Sequence, residues 1–270
     1  MSAASVPTDS APVTAALDRL VAARRTGVPC SPVRAILGDD IDLAYQVQSA
    51  WVRGELFERA TVVGRKIGLT SPAVQNQLGV NQPDFGVLLD TMQRTTVEDI
   101  EMSELLQPRI EAEIAFVLSA DLDRPPFSDE ALRAAVDYAT AALEIVDSRI
   151  SGWDIRIADT IADNASSGQF VLGDDRVPLE SFVPRDTSMS MTQNGTVVSE
   201  GAGAACLGDP LNALRWLAET AVAVGDPLRA GEVVLSGALG PMVNVRPGDE
   251  FVASITGLGD VRARFEGSAE

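Results

Sequence analysis

The sequence predicts an α+β fold, β-rich over most of its length and preceded by a helical N-terminal extension. Three observations carry this reading. Apolar residues recur at helical spacing through residues 1–60. From residue 61 onward the pattern changes to short apolar runs punctuated by Gly and Pro. One of these runs, "PRIEAEIAFVLSA", alternates apolar and polar positions as a half-buried strand does.

In chain order, residues 1–11 are small and polar and predict a disordered lead-in without the basic start and apolar stretch of a signal peptide. Leu17, Leu20 and Val21 predict a helix over 12–26 that stops at Gly27. "GVPCSPVRAILGDD" reads as loop, and a second helix follows Asp39 and Asp40, with Leu43, Val47, Trp51 and Leu56 along one face. "TVVGRKIGLT" and "FGVLLD" read as strands, with a helical turn in "SPAVQNQLG" between them. "SDEALRAAVDYATAA" predicts a helix capped by Ser128 and running into the apolar "LEIV". Asn194-Gly195 marks a hairpin turn, and an Asp-Pro pair opens a helix at "DPLNALRWLAETAVAVG". The segments "GEVVLSG", "DEFVASITGLG" and "VRARF" close the chain as strands. Residues 61–270 thus form the main domain and 1–60 its extension.

Composition narrows the chemistry. The chain has 270 residues, 46% of them apolar, enough for a substantial core. Its net charge of −18 argues against a nucleic-acid partner, which needs clustered basic residues. No run approaches the roughly 18 apolar residues of a membrane span. Cys30 and Cys206 have no metal-ligand spacing and predict buried free thiols in a reducing compartment, hence a cytoplasmic protein. There is no histidine, which removes Ser-His-Asp triads, Cys-His pairs and histidine-based metal sites. Twenty of the 21 basic residues are arginine; the single lysine is Lys66. Arginine cannot exchange its proton in a protein, whereas lysine can, so a lone lysine is a candidate for chemistry as well as a plain surface cation.

Glu111 and Glu113 alternate on the predicted strand and so share a face, with Ile110, Ala112, Ile114 and Phe116 on the other. Two carboxylates this close repel unless a cation lies between them, although a solvated strand face also accommodates the pair. Glu144 and Asp147 lie within the apolar "ALEIVDSRI", where an ionised carboxylate needs a partner. Three carboxylates without nitrogen or sulfur ligands suit Mg²⁺ or Mn²⁺ better than Zn²⁺ or copper. Asp84 in "NQPDFG", and Asp163 and Asn164 in "DNASSG", sit in loop-like segments that fit ligand contacts or ordinary turns. "GAGAAC" departs from the dinucleotide fingerprint and follows a hairpin, which excludes a nucleotide loop there.

Taken together, "GRKIGLTSPAVQNQLGVNQPDFGVLLD", "PRIEAEIAF", "EIVDSRI..W", "ADNASSGQFVLG", "GAGAACLGDPLNALRWLA" and "LSGAL" resemble the 2-keto-4-pentenoate hydratase family. This is a branch of the fumarylacetoacetate-hydrolase-like superfamily, and the match keeps motif order over residues 40–265. The resemblance implies a β-rich mixed fold like the fumarylacetoacetate hydrolase C-terminal domain, a homo-oligomer, and 61–270 as a metal-dependent catalytic domain. It implies Glu111, Glu113 and Glu144 as ligands of Mg²⁺ or Mn²⁺, Lys66 and Asp84 as catalytic residues, and Leu69, Ser166 and Ser236 as substrate contacts. Relatives often carry histidine where this chain has Asn81, so any proton transfer assigned to that position is lost here.

The implied substrate is a 2-hydroxy-2,4-dienoate from meta-cleavage of aromatic or steroid rings, hydrated to a 4-hydroxy-2-oxo acid. A metal-dependent decarboxylase of 4-oxalocrotonate type shares the carboxylates and the lysine, but "QPDFG" and "LSGAL" resemble the hydratase branch more closely. An acylpyruvate hydrolase is a third reading. A non-catalytic scaffold associated with a pathway enzyme is a fourth, and the intact lysine and carboxylate set speaks against it.

Overall fold

The structure is a computed structural model that describes residues 10–71, 75 and 82–267. Three helices precede the sheets: α1 (Ala11–Thr26), α2 (Arg34–Leu37) and α3 (Ile41–Phe57). Pro12 lies in the first turn of α1, and Gly27 ends the helix at φ 67°, a left-handed conformation that glycine adopts without a Cβ clash. The Asp40 carboxylate accepts from the Leu43 amide and caps α3. The short α2 falls inside the segment expected to be loop; Leu37 is buried there, in one apolar cluster with residues of α1 and α3. The expected lead-in lies almost wholly outside the described residues, as do the turn in "SPAVQNQLG", apart from Ser71 and Gln75, and Asn81.

Two sheets form the rest. Strands β1 (Val62–Gly68), β2 (Asp84–Leu89), β3 (Gln93–Arg94), β4 (Asp99–Ile100) and β5 (Pro108–Leu118) are followed by helix α4 (Asp129–Ala135) and β6 (Val136–Asp147). Helix α5 (Ile157–Ala162), β7 (Ser167–Leu172) and the hairpin of β8 (Ser188–Gln193) and β9 (Thr196–Ala202) come next. Helix α6 (Pro210–Ala223) then leads to β10 (Val233–Leu235), β11 (Val243–Asn244), β12 (Glu250–Ile255) and β13 (Gly259–Phe265). The larger sheet runs β2-β1-β10-β5-β6-β7-β3, with β11 also on β5; the smaller runs β4-β13-β12-β8-β9. Ile110, Ile114 and Phe116 of β5 join Phe251 and Phe265 of the smaller sheet in one core.

One expected element, the helix over "SDEALRAAVDYATAA", is right in its first half and wrong in its second. The helix starting at Ser128, whose hydroxyl accepts from the Ala131 amide, ends at Ala135, and the chain continues as the 12-residue β6. Alanine-rich "VDYATAA" has fair helix propensity, but pairing with β5 along one edge overrides it, and β7 pairs the other edge from Ala142 onward. Glu144 therefore sits on a central strand and not after a helix. Of the two thiols, Cys206 is buried but Cys30 only half so, and both are free.

The N-terminal helices are joined to the sheet domain through α5. Val13, Leu20, Leu37 and Val47 pack with Ile157 and Ile161. Arg34 reinforces the contact: its amide and its guanidinium donate to the two carboxylate oxygens of Asp159, at 2.8 and 2.6 Å. The Asp159 side chain is fully buried, so this charge-assisted pair fixes the position of α5.

Candidate metal centre and its cavity

Register brings the candidate residues together. Glu111 of β5 faces Glu144 of β6 directly across the antiparallel pair, and Glu113 lies one alternation further on the same face of β5. Among the described residues these three form a cluster of potential ligands, with one carboxylate oxygen from each lying within 4.8 Å of the others. All three are buried. Glu113 Oε2 accepts from the Gly237 amide at 2.7 Å, while Glu113 Oε1 and both Glu144 oxygens have no hydrogen-bond partner. Gly237 holds φ 106°, and a Cβ there would come within 2.4 Å of Thr70. Only glycine brings that amide to the carboxylate.

Such a site is costly without a cation. Burial, with Glu144 alongside, raises the Glu111 carboxyl to about 7, and burial with Glu144 and Glu111 raises Glu113 well above the usual carboxylate range. The three buried glutamates, with unpartnered oxygens on Glu113 and Glu144, form an all-oxygen donor set that fits a hard divalent cation. Asp147, the other buried carboxylate of β6, belongs elsewhere. It points away from the cluster and accepts from the amides of Leu106 and Gln107.

Lys66 arrives from β1, two strands away across β10 and β5. Its Nζ lies 3.0 Å from Glu144 Oε1, a close charge contact without hydrogen-bond alignment to that oxygen. Burial opposes its charge, but Glu144, Asp84, Glu111 and Glu113 more than offset this, and its pKa is raised. Asp84, on the neighbouring β2, is opposite Gly68 in register. A Cβ at Gly68 would lie 2.2 Å from Asp84 Oδ1, so the absent side chain is the space the carboxylate occupies. Asp84 Oδ2 accepts from Thr160 Oγ at 3.1 Å; Oδ1 has no partner. Burial raises the Asp84 pKa, with Lys66 and Thr160 acting in the opposite sense.

Lys66, Asp84, Glu111, Leu69, Thr160 and Ser166 line one cavity of about 100 Å³. It adjoins a larger, mainly apolar vestibule of about 640 Å³, with Leu69, Glu111, Trp153 and Met242 in both walls. Leu69 is in the left-handed region at φ 58°, and Asn164, Ala165 and Ser166 hold φ 52° in succession. Such strain persists only where surroundings fix it. Here the Asn164 side-chain amide bonds both the N–H and the C=O of Val87, at 2.8 and 2.9 Å. Asp163 is tied to the Arg149 guanidinium and to Ser148 Oγ. These two residues brace the loop, while the buried Ser166 hydroxyl is left unpartnered in the cavity wall.

Ser236 is placed differently. It is fully buried behind the wall, its carbonyl accepts from Cys206 Sγ at 2.9 Å, and its neighbour Ala238 faces the cavity instead. Burial pushes the Cys206 thiol up to about 12, so it is no nucleophile. The sequence assigns no site role to Thr160, Trp153 or Arg109. Nothing local singles out Thr160, and Trp153 stands out only as the end of "EIVDSRI..W". Arg109 had a signal, since it precedes Glu111 by one strand alternation.

The fold and the buried glutamate cluster mark the superfamily. Residues 91–266 match the family described as fumarylacetoacetate (FAA) hydrolase, C-terminal. A 4-oxalocrotonate decarboxylase from Pseudomonas putida G7, solved with magnesium and adipate, superposes with a TM-score of 0.90 at 34% identity, covering 94% of this chain and 97% of that one. A "TodF product hydratase" of Pseudomonas putida is 53% identical over 251 residues, 93% of this chain and 94% of its own. A 2-keto-4-pentenoate hydratase of Paraburkholderia xenovorans is 50% identical over 252 residues, with the same shares covered. A 2-hydroxyhexa-2,4-dienoate hydratase of Comamonas testosteroni is 41% identical over 227 residues, 83% of this chain and 86% of its own. Within the superfamily, the chain belongs to the 2-keto-4-pentenoate hydratase family.

Proposed function

We propose that this chain is a metal-dependent hydro-lyase that converts 2-hydroxypenta-2,4-dienoate, or a close homologue, to a 4-hydroxy-2-oxo acid. The observation that carries the reading is the convergence of Lys66, Asp84 and Glu111 on one small buried cavity. Identity near 50% over 93% of the chain to relatives named as hydratases supports it. The reaction adds water across a carbon–carbon double bond: the enol proton leaves, C5 gains a proton, hydroxide from water joins C4, and C3 takes the remaining proton.

Glu111, Glu113 and Glu144 would hold Mg²⁺ or Mn²⁺, which when bound supplies Lewis-acid stabilisation of negative charge on the substrate's oxygens. Lys66, kept protonated by its carboxylate neighbours, stabilises negative charge at the C2 oxygen. Asp84 has one oxygen anchored by Thr160 and one free, with a pKa raised by burial; it moves the proton at the carbon chain. Ser166 and the Leu69 backbone orient the substrate from the opposite wall, and Ser236 acts only through the position of the glycine that follows it. The chemistry is thereby confined to residues 61–270. A homo-oligomer acting in the cytoplasm on meta-cleavage products, alone or associated with a pathway enzyme, completes the reading.

The fold alone is compatible with decarboxylation, since a 4-oxalocrotonate decarboxylase shares it. The deciding assay follows dienol absorbance with purified protein, with Mg²⁺ and with chelator, and identifies the product. Metal-dependent loss of signal with 4-hydroxy-2-oxopentanoate formed is the expected result. Loss of CO₂ from 4-oxalocrotonate with no hydration of the dienoate would replace the proposal by the decarboxylase reading.

A further inference from the structure

Arg109 is placed unlike the other arginines. It stands on β5 one alternation before Glu111, on the same face as Glu111 and Glu113, and it lines the apolar vestibule outside the carboxylate cavity. Apart from Lys66, it is the only cationic side chain among the described residues lining either space. No described carboxylate pairs with it. Its guanidinium lies 4.3 Å from the Trp153 ring centroid, and its one side-chain contact of hydrogen-bond type is with Met242 Sδ at 3.7 Å.

The platform beneath it is built. Trp153 holds φ 57°, a conformation rare for a bulky residue, and its indole N–H donates to the Gln107 carbonyl at 3.1 Å. The Gly152 amide donates to Gln107 Oε1 at 2.8 Å. The guanidinium thus lies over a fixed ring, and its donors other than the one on Met242 are free for a carboxylate. Charge argues the same way. When ionised, Asp84, Glu111, Glu113 and Glu144 outnumber the single ammonium, and a divalent cation still leaves one negative charge uncompensated. An anionic substrate entering a chain of net charge −18 needs one more positive group at the entrance.

We infer that Arg109, held over Trp153, recognises the carboxylate of the incoming 2-oxo or 2-hydroxy acid and determines selectivity for the acid over its neutral analogues. The inference rests on the substrate class proposed above. The test is calorimetric binding of 2-oxopentanoate and of its methyl ester to the Mg²⁺-loaded full chain, with Arg109→Met and Arg109→Lys beside the wild type. Arg109→Met should weaken acid binding by about 10- to 100-fold, as expected for loss of a charge-assisted pair. The ester should change by less than about threefold, because it offers no charge to lose. Arg109→Lys should fall between, since it keeps the charge without the planar fork. Mg²⁺ affinity and melting temperature of Arg109→Met should match wild type. Equal weakening of acid and ester would reduce Arg109 to a wall residue and overturn the inference, as would unchanged acid binding. Failure of the wild type to bind 2-oxopentanoate would remove both the substrate class and the inference built on it.

Discussion

Lys66 and Glu144 form a buried ion pair, 3.0 Å apart and 3% and 1% exposed, between strands separated by two others in the larger sheet. The only lysine of the chain is therefore spent on neutralising part of a carboxylate cluster. Replacing it by methionine should lower kcat by about two orders of magnitude or more, the usual scale for loss of a positioned acid or charge. Mg²⁺ should still bind, because the three glutamates remain. Steady-state kinetics together with metal titration check this, and near-normal kcat would remove Lys66 from the mechanism.

Metal affinity should depend steeply on pH. Glu111, raised to about 7 by burial and Glu144, must lose its proton to act as a ligand, and Glu113 likewise. Affinity for Mg²⁺ should climb as pH rises toward 7 and flatten above the highest of these values. Calorimetry in two buffers of different ionisation enthalpy should register proton release below that plateau; a pH-independent affinity would contradict the assignment of Glu111 as a ligand.

The same shift governs stability of the metal-free protein. The folded-state value of Glu111, about 7, lies above its ordinary 4.5, so between these limits the folded chain binds the proton more tightly than the unfolded chain. Stability is then greatest below pH 4.5 for this group and declines as pH rises through about 7. Mg²⁺ should raise the melting temperature more at pH 8 than at pH 5. Scanning calorimetry of apo and loaded protein tests both signs.

Thr160→Val removes the hydroxyl that donates to Asp84 Oδ2 and preserves shape. Because that bond holds the Asp84 pKa down, the limb of the pH–rate profile that belongs to Asp84 should move upward. A buried carboxylate left without its donor also costs about 1–3 kcal/mol of stability. An unchanged profile would show that the proton is carried elsewhere.

Gly68→Ala places a methyl group where Asp84 Oδ1 now lies, 2.2 Å from the new carbon. Asp84 is pinned by Thr160, so it cannot move without losing that bond. Activity should fall at least about tenfold, the scale on which small misplacements act, while Mg²⁺ affinity stays near wild type. Comparing kcat with metal affinity in this variant separates the two halves of the site.

Much of this was legible in the sequence because it depends on strand alternation. Glu111 and Glu113 share a face of β5 as "PRIEAEIAF" implies, and the residues between them enter the core. The hairpin at Asn194-Gly195 has positive φ at both residues, 53° and 81°, as its turn chemistry demands. Glu144 stands out in the sequence for its apolar surroundings, although the helix expected to run up to its segment stops at Ala135. Burial of a carboxylate can be read from neighbours; the pairing that turns an alanine-rich stretch into β6 is a tertiary effect. The roles of Thr160 and Trp153 are illegible for the same reason. Each acts through a partner distant in the chain, Asp84 for one and Gln107 for the other.

The sealing of Lys66 also changes how the outside of the molecule behaves. Every positively charged side chain elsewhere in the chain is a guanidinium, which neither titrates near neutrality nor reacts with acylating reagents. An amine-directed label therefore meets just one side-chain target, and that target is closed to solvent in the folded state. Acylation at Lys66, read by mass, would report opening of the cavity without any need to measure turnover.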